Sequence, residues 1–256
     1  MKWLRDWITA LSMAFGMFCA IPCPIKRWDE NLRARQLVCL PLVGAFIGSL
    51  WGAAAWLLCG WCGWSGLLPA ALLTALPLLL TGFIHLDGFM DCCDAIYSRR
   101  DLEKRQQILK DSHCGAFAVI HLALYLMLFV GAMDHAAAVP VALVFLPMAT
   151  RCVAGLSVAT IRPMHTSQYA AVRRYRPRHI VALGVLLAVS VAVPVLLEGL
   201  CGLSAAAAAL AAFCTVRFGV KQLDGMSGDI SGFAITRGEV AGVLALAVLN
   251  WLGGVL

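Results

Sequence analysis

The sequence predicts an all-α fold: a polytopic membrane bundle of about seven spanning helices, with one short additional helix at the N-terminus. Of its 256 residues, 61% are hydrophobic and 13% are charged, whereas soluble domains carry roughly 25% charged residues. Apolar runs of about 20 residues, the length needed to cross a bilayer, recur along the chain. A membrane β-barrel would need strictly alternating segments of about ten residues, which these long runs exclude.

The first apolar run, residues 8–21, is too short to span a membrane. It is apolar for about 14 residues, against the roughly 20 that a spanning helix needs. We therefore expect an interfacial or re-entrant helix, with Trp3 and Trp7 at the membrane surface. The segment has the charge pattern of a signal peptide but lacks a small-x-small cleavage motif before Pro22, so we expect it to be retained.

Longer apolar runs predict the spans in order. They cover residues 37–60, 66–86, 115–133, 136–160, 180–197, 203–220 and 240–256. Polar or glycine-rich loops separate these runs, and no long linker interrupts the series. The sequence therefore predicts a single membrane domain over residues 1–256.

The basic residues are distributed unevenly among the loops. Segments 22–36, 87–114, 161–179 and 217–238 hold 17 of the 20 Lys and Arg residues, and the short loops 60–65, 134–135 and 198–202 hold none. The two sets alternate across the spans, so one face carries nearly all the charge. The positive-inside rule makes that face cytoplasmic, in a bacterial-type inner membrane. Topology thus explains the net charge of +6, and we expect no nucleic-acid partner.

Residues 85–115 hold the densest polar cluster. Six of the 14 acidic residues lie there, namely Asp87, Asp91, Asp94, Asp101, Glu103 and Asp111. The spacing of Asp87, Asp91 and Asp94 places them on one face of a helix. Three carboxylates in mid-membrane would cost on the order of 8–10 kcal/mol. The segment must therefore lie at a membrane edge, in an aqueous cavity or on a metal ion.

A divalent cation is the obvious partner for these carboxylates, because like charges on adjacent helical turns repel one another. Oxygen ligands favour Mg²⁺, with Mn²⁺ as the alternative, over zinc. Two other interpretations stay open. The segment could be a solvated helix start, where the helix dipole favours Asp87. His85, Cys92 and Cys93 could instead form a soft-metal site with Asp91.

Further candidates follow the aspartates. Gly88 would let a phosphate or another helix come close. Residues 99–110 indicate a solvated amphipathic helix, or a clamp in which Arg99, Arg100 and Arg105 bind a pyrophosphate. Asp111 and Ser112 precede an apolar run, so Asp111 suits either a helix N-cap or catalysis.

Two distant regions complete the candidates. Arg151 is a basic residue inside a span, so it is either functional or paired with an acid from another helix. The loop 162–178 could bind nucleotide phosphates or a base, although topology explains most of its charge; its basic and aromatic residues are Arg162, Arg173, Arg174, Arg176, Arg178, Tyr169 and Tyr175. The late loop 221–238 has Asp224 and Asp229 among glycines and echoes the Leu-Asp-Gly at residues 86–88.

Together these motifs resemble those of the adenosylcobinamide-GDP ribazoletransferase (cobalamin synthase) family. The pattern H-x-D-G-x-x-D-x-x-D corresponds to residues 85–94, and K-D-S-x-x-G to residues 110–115. The family's late glycine-rich motif is similar to residues 224–233, and its early F-x-x-x-P-x-P pattern to residues 18–24. The resemblance covers nearly the whole chain.

The resemblance implies a reaction in which α-ribazole, or its 5′-phosphate, attacks adenosylcobinamide-GDP and GMP leaves, with Mg²⁺ present. It implies Asp87 and Asp91 as metal ligands, Asp94 as ligand or general base, and Asp111 as a further catalytic group. The remaining candidates for substrate binding are His85, Gly88, Arg99, Arg105, Lys110, Ser112, Arg151, Ser227, Gly228 and Asp229. We expect membrane lipids as partners, and the sequence leaves open a homo-oligomer.

Two alternative functions are weighed against this one. A CDP-alcohol phosphotransferase would use similar chemistry, but its D-x-x-D-G-x-x-A-R motif needs an acid three residues before Asp87 and an Ala-Arg after it, and neither is present. A cation or solute transporter would place its acids within spans and show inverted repeats. Here the acids gather at one predicted face, which favours an enzyme.

Overall fold

The structure is a computed structural model that describes residues 2–165, 167 and 175–254, and within them it is helical. The α-helices are α1 (Lys2–Phe18), α2 (Arg33–Ala55), α3 (Leu67–Leu80), α4 (Ile84–Tyr97), α5 (Leu102–Ile108), α6 (Ala116–Ala136), α7 (Pro140–Thr160), α8 (Pro177–Glu198), α9 (Leu203–Leu223) and α10 (Gly228–Gly253). A π-helical turn at Trp56–Trp61 extends α2, and short 3-10 turns occur at Glu30–Leu32 and Gly199–Gly202. The predicted all-α fold is confirmed.

Five helical segments in the described residues are long and apolar enough to cross a membrane, or six if a bent pair counts as one span. They are Glu30–Trp61, Ala116–Ala136, Pro140–Thr160, Pro177–Leu223 and Gly228–Gly253, and the bent pair is α3 with α4. The segment Pro177–Leu223 contains both α8 and α9, of 22 and 21 residues, and each is long enough to span. With α8 and α9 counted separately, the described residues contain six candidate passages, and the bent pair brings the number to the seven that the sequence predicts if it is one broken span.

The predicted continuous span over residues 66–86 is wrong. The chain bends by 93° between α3 and α4, because Gly82 and Phe83 both adopt left-handed backbone angles, with φ of 58° and 62°. A helix cannot continue through two such residues. The bend makes α4 a separate helix, and α4 carries the three clustered aspartates.

Two further boundaries differ from the prediction. α6 continues through the expected turn at residues 134–135 to Ala136, and Pro140 in the first turn of α7 starts the next helix. The expected loop 221–238 is mostly helix, since α10 begins at Gly228. Its polar and glycine residues favour a loop, but Ser227 caps the helix by accepting a hydrogen bond from the backbone N–H of Ile230 at 3.2 Å.

α1 is an amphipathic helix that packs on α2 and is not among the candidate spans. Arg35 forms a 2.7 Å ion pair with Asp6, and the side-chain amide of Gln36 donates to the carbonyl of Met13 at 3.2 Å. The helix starts at Lys2, earlier than the apolar run at residue 8 indicates, because its first turns are polar on one side.

Small residues let antiparallel helices approach closely in the centre of the bundle, as is common in membranes. A Cβ at Gly44, Gly48 or Gly52 of α2 would collide with the backbone of Pro147, Val144 or Pro140 of α7, respectively. The α7 partner moves backwards as the α2 residue number rises, so the two helices are antiparallel. The start of α2 and the end of α7 therefore lie at the same end of the bundle.

Hydrogen bonds gather the polar loops at that end. Residues 161–165 pair with the α9–α10 turn, where Met226 donates to the carbonyl of Arg162 at 2.9 Å and Met164 donates to Met226 at 3.0 Å. At the opposite end Asp134 accepts from the backbone of Gly66 at 2.7 Å. We call the first end the polar end. It holds the start of α2 and residues 98–115, 161–165 and 224–227.

Candidate active site

A cavity of about 340 Å³ opens at the polar end between α4 and the α5–α6 loop. Its polar lining residues are Asp87, Asp91, Asp94, Lys110, Asp111, Ser112, His113 and Cys114, and its other lining residues are Met90, Ile108, Leu109, Gly115 and Ala118. Six residues proposed from sequence therefore share one cavity, although up to 25 positions separate them in the chain. We call it the aspartate cavity.

α4 presents its aspartates to this cavity and its small and apolar residues to the bundle. Asp87 is exposed and Asp91 and Asp94 are half-buried, while Gly88, Cys92 and Cys93 are buried. The predicted shared helical face is thus confirmed. Asp91 is close enough to Asp87, Asp94 and Asp229 for all three charges to act on it.

Asp94 is held by the start of α6. A Cβ at Gly115 would overlap both oxygens of the Asp94 carboxylate. Gly115 precedes Ala116, the first residue of α6, so the carboxylate lies against the end of a helix whose N–H groups point outwards. This contact brings a carboxylate that lines the cavity against the backbone at the start of α6.

Asp111 forms a local turn with His113. Its Oδ1 accepts from the backbone N–H of His113 at 3.0 Å and lies 2.6 Å from the His113 ring Nδ1. These hydrogen bonds from the His113 ring and backbone lower the pKa of Asp111. The predicted capping of the next helix by Asp111 is wrong, because the N-cap of α6 is Gly115 and no side chain bonds there.

α10 brings Asp229 to the aspartates of α4 through two facing glycines. A Cβ at Gly88 would lie 2.9 Å from the Cα of Asp229, and a Cβ at Gly232 would lie 2.8 Å from the carbonyl oxygen of His85. The Thr236 hydroxyl also donates to that carbonyl at 3.1 Å. Gly88 therefore serves helix packing, one of its two predicted roles. Ser227 and Gly228 directly precede Asp229, and the Ser227 hydroxyl lies 3.4 Å from the Asp229 carboxylate.

The basic candidates have different positions. Lys110 is exposed and lines the aspartate cavity. Arg105 does not line it, because its guanidinium donates to the carbonyl of Gln222 at 3.1 Å and to the Gln222 side chain, and so ties α5 to α9. Arg99 is exposed, with a left-handed φ of 55°. Tyr169, Arg173 and Arg174 lie outside the described residues.

Arg151 and His85 lie inside the bundle, outside the lining of the aspartate cavity. Arg151 pairs with Glu239 of α10 at 2.5 Å and donates to the carbonyl of Pro147 at 3.1 Å. This is the partner acid that a basic residue within a span requires. The ring of His85 stacks on Phe18 with centroids 5.9 Å apart, and its Nε2 is buried without a hydrogen-bond partner in the described residues.

Sequence reasoning did not select His113, Gly232 or Glu239. His113 stands two residues after Asp111, the spacing of a side chain that hydrogen-bonds a nearby backbone N–H. Glu239 stands directly before the predicted last span, residues 240–256, and an acid so close to a span is a possible partner for Arg151. Nothing local singles out Gly232, since its role depends on the approach of α4.

Asp224, the other acid of the predicted late loop, forms a 2.7 Å ion pair with Arg162.

The donor set of the aspartate cavity suits a hard divalent cation. Its carboxylates supply only oxygen, and none of the ion pairs in the described residues involves Asp87, Asp91 or Asp94. Within the same residues, no three His, Cys, Asp or Glu side chains converge on a ready-made metal site. Mg²⁺ is commonly held by one or two carboxylates, with water and substrate phosphate completing its shell, and the cavity fits that mode.

An all-α membrane bundle with a carboxylate-lined cavity at its polar end is the class of protein that this fold and site define. The chain belongs to the cobalamin-5-phosphate synthase family, whose model matches residues 10–247. This confirms the family resemblance drawn from the motifs at residues 85–115 and 224–233.

Three relatives, each described as adenosylcobinamide-GDP ribazoletransferase, illustrate the match. The protein from Clostridium botulinum (strain Alaska E43 / Type E3) is 31% identical over 257 residues, covering 96% of this chain and 100% of the relative. The one from Clostridium perfringens (strain 13 / Type A) is 32% identical, with coverage of 96% and 100%. The one from Klebsiella pneumoniae (strain 342) is 35% identical, with coverage of 93% and 99%. No solved structure matches the chain.

Proposed function

We propose that this protein joins α-ribazole, or α-ribazole 5′-phosphate, to adenosylcobinamide-GDP and releases GMP. A ribose hydroxyl oxygen forms a bond to the corrinoid-side phosphorus, the bond from that phosphorus to the GMP oxygen breaks, and the hydroxyl proton passes to a base. The product is adenosylcobalamin or its 5′-phosphate. Family membership and the names of the relatives support this assignment.

The observation that carries the proposal is the convergence of Asp87, Asp91, Asp94 and Lys110 on one cavity. Phosphoryl transfer requires little covalent chemistry from a protein, and mainly positioning and charge compensation. Asp87, Asp91 and Asp94 would hold Mg²⁺. When bound, the cation supplies charge stabilisation to the phosphate oxygens.

The chain's own residues divide the remaining work. Lys110 supplies a positive charge to the diphosphate, since it lines the same cavity as the carboxylates. Asp94, positioned by Gly115, is either a ligand or the base that takes the hydroxyl proton. The lowered pKa of Asp111 keeps its carboxylate ionised at neutral pH, which suits substrate or cation binding better than proton acceptance. Asp229 adds a further carboxylate beside α4.

The cavity faces the cytoplasm of an inner membrane in this proposal. The segments that carry 17 of the 20 basic residues include the loops joined at the polar end, and positive loops are retained on the cytoplasmic side. A cavity at the bundle end, rather than within the spans, lets a large polar corrinoid reach the site from water.

Release of GMP tests the function directly. Membranes containing this protein, given adenosylcobinamide-GDP, α-ribazole and Mg²⁺, should release GMP in proportion to α-ribazole consumed. Membranes containing Asp87→Asn at equal protein levels are the control and should release none. Absence of GMP from folded wild-type protein, or GMP release that does not depend on α-ribazole, would contradict the proposal. CDP-diacylglycerol, the wrong nucleotide donor, should give no product.

A further inference from the structure

A second charged cavity, of about 460 Å³, lies between α1, the start of α2 and the start of α8. It is within the size range of ligand sites, roughly 300–1,000 Å³, and shares no lining residue with the aspartate cavity. Its lining residues are Lys2, Asp6, Asp29, Asn31, Leu32, Ala34, Arg35, Arg176, Arg178 and His179. We call it the basic cavity.

Positive charge dominates its lining. Lys2, Arg35, Arg176 and Arg178 are cationic, and the two acids are already engaged. Asp6 is paired with Arg35 at 2.7 Å, and Asp29 accepts a hydrogen bond from the backbone N–H of Asn31 at 2.9 Å. Arg176 and Arg178 are exposed and form none of the ion pairs in the described residues. The cavity therefore has an excess of cations available to an anion.

His179 adds buried, unpartnered hydrogen-bonding atoms to this lining. The residue is only 5% exposed, and neither ring nitrogen has a hydrogen-bond partner in the described residues. Its ring meets Trp7 edge-on at 6.4 Å. Buried polar atoms normally have partners, so these nitrogens point to a ligand. The start of α8, 22 residues long, lies at the same place and has no side-chain cap. Pro177 has no N–H there, and the N–H of His179 donates to the carbonyl of Arg176 at 2.8 Å.

The cavity lies at the boundary between membrane and water. Arg35 is in the first turn of α2, and Arg176 is the residue just before α8, so both belong to the starts of candidate spans. α1 exposes Trp3, Leu4 and Ile8, the apolar face of an interfacial helix. Headgroup phosphates of phospholipids occupy this depth.

We propose that the basic cavity binds the phosphate of an anionic phospholipid, with Arg176, Arg178 and the His179 ring as its donors. Bound there, the lipid links α1 to the starts of α2 and α8. The site is separate from the aspartate cavity, since the two share no lining residue.

Native mass spectrometry of the full chain in a non-ionic detergent tests the site. Wild-type protein is titrated with phosphatidylglycerol, with phosphatidylcholine and, separately, with inorganic phosphate. The test variant is Arg176→Gln/Arg178→Gln, and His179→Leu is a second variant. The matched control, Arg217→Gln/Lys221→Gln, removes two exposed charges from α9 at sites outside the cavity.

We expect wild type and control to bind phosphatidylglycerol in preference to phosphatidylcholine, and the test variants to bind it at least about tenfold more weakly. Circular dichroism checks that each variant is folded. Equal phosphatidylglycerol binding by the double test variant and its control would overturn the site. Binding of inorganic phosphate instead of phosphatidylglycerol, together with loss of that binding in the double test variant, would show that the lipid is not the ligand of the basic cavity.

Discussion

The carboxylate of Asp94 lies against the Cα of Gly115, in the volume that any larger residue's Cβ would fill. The contact joins the end of α4 to the start of α6 across the aspartate cavity. A side chain at residue 115 could be accommodated only if the Asp94 carboxylate moved away from the start of α6.

Gly115→Ala should therefore displace Asp94 and reduce GMP release. A misplacement of about 1 Å in a catalytic site costs on the order of 100-fold in rate, and we expect a loss of that size in kcat. Gly131→Ala is the matched control on the same helix, because a Cβ there meets nothing within 4 Å. Near-normal turnover of Gly115→Ala would remove the contact from the catalytic arrangement.

Asp87→Ala and Asp91→Ala should each abolish turnover while the protein still inserts in the membrane. Both side chains line the cavity and neither has an ion-pair partner in the described residues, so their removal should not weaken the fold. Glu103→Gln, an exposed acid on α5, is the control and should retain activity. Substantial GMP release by either alanine variant would exclude that residue from the site.

Removal of divalent cations should stop the reaction. With EDTA in excess we expect no GMP release, and added Mg²⁺, or Mn²⁺ less effectively, should restore it, because an oxygen-only donor set favours these ions. Zn²⁺ at the same concentration should not. Activity that persists in EDTA, after washing in chelator, would count against a metal held by Asp87, Asp91 and Asp94.

The buried pair of Arg151 and Glu239 should govern stability. Both side chains are almost fully buried, with 1% and 6% exposed, and loss of one partner from such a pair costs about 3–5 kcal/mol. Arg151→Met or Glu239→Gln should therefore lower the melting temperature of the purified protein. The double variant Arg151→Met/Glu239→Leu leaves no unpaired charge and should melt closer to wild type. If the double variant loses as much stability as the two single variants together, the broken ion pair is not the cause of the single variants' instability.

Two exposed cysteines test the orientation. Cys62 follows the extension of α2 at the end away from the polar loops, and Cys114 lines the aspartate cavity. A membrane-impermeant maleimide should label Cys114 only in inverted vesicles and Cys62 only in right-side-out vesicles. Cys62→Ser and Cys114→Ser assign each signal. Reaction of both residues from one side would contradict the topology.

Much of the candidate site was predictable because its residues are close in sequence. The i, i+4, i+7 spacing of Asp87, Asp91 and Asp94 fixes their common face once the segment is helical. Lys110, Asp111 and Ser112 follow within one loop. The tight contact of Gly115 with Asp94 was not predictable, since it depends on the angle at which α6 approaches α4.

The membrane class, the charge asymmetry and the family could be inferred without a structure, because hydropathy, loop charge and motif spacing are properties of the chain. The roles of the longer-range residues came from the tertiary structure. It placed Arg151 beside Glu239 and used Arg105 to tie α5 to α9. It also bent the chain at Gly82 and Phe83, where two left-handed residues turn a predicted span into the separate helix α4. Such partners are selected by packing between distant segments, and local sequence carries little information about that packing.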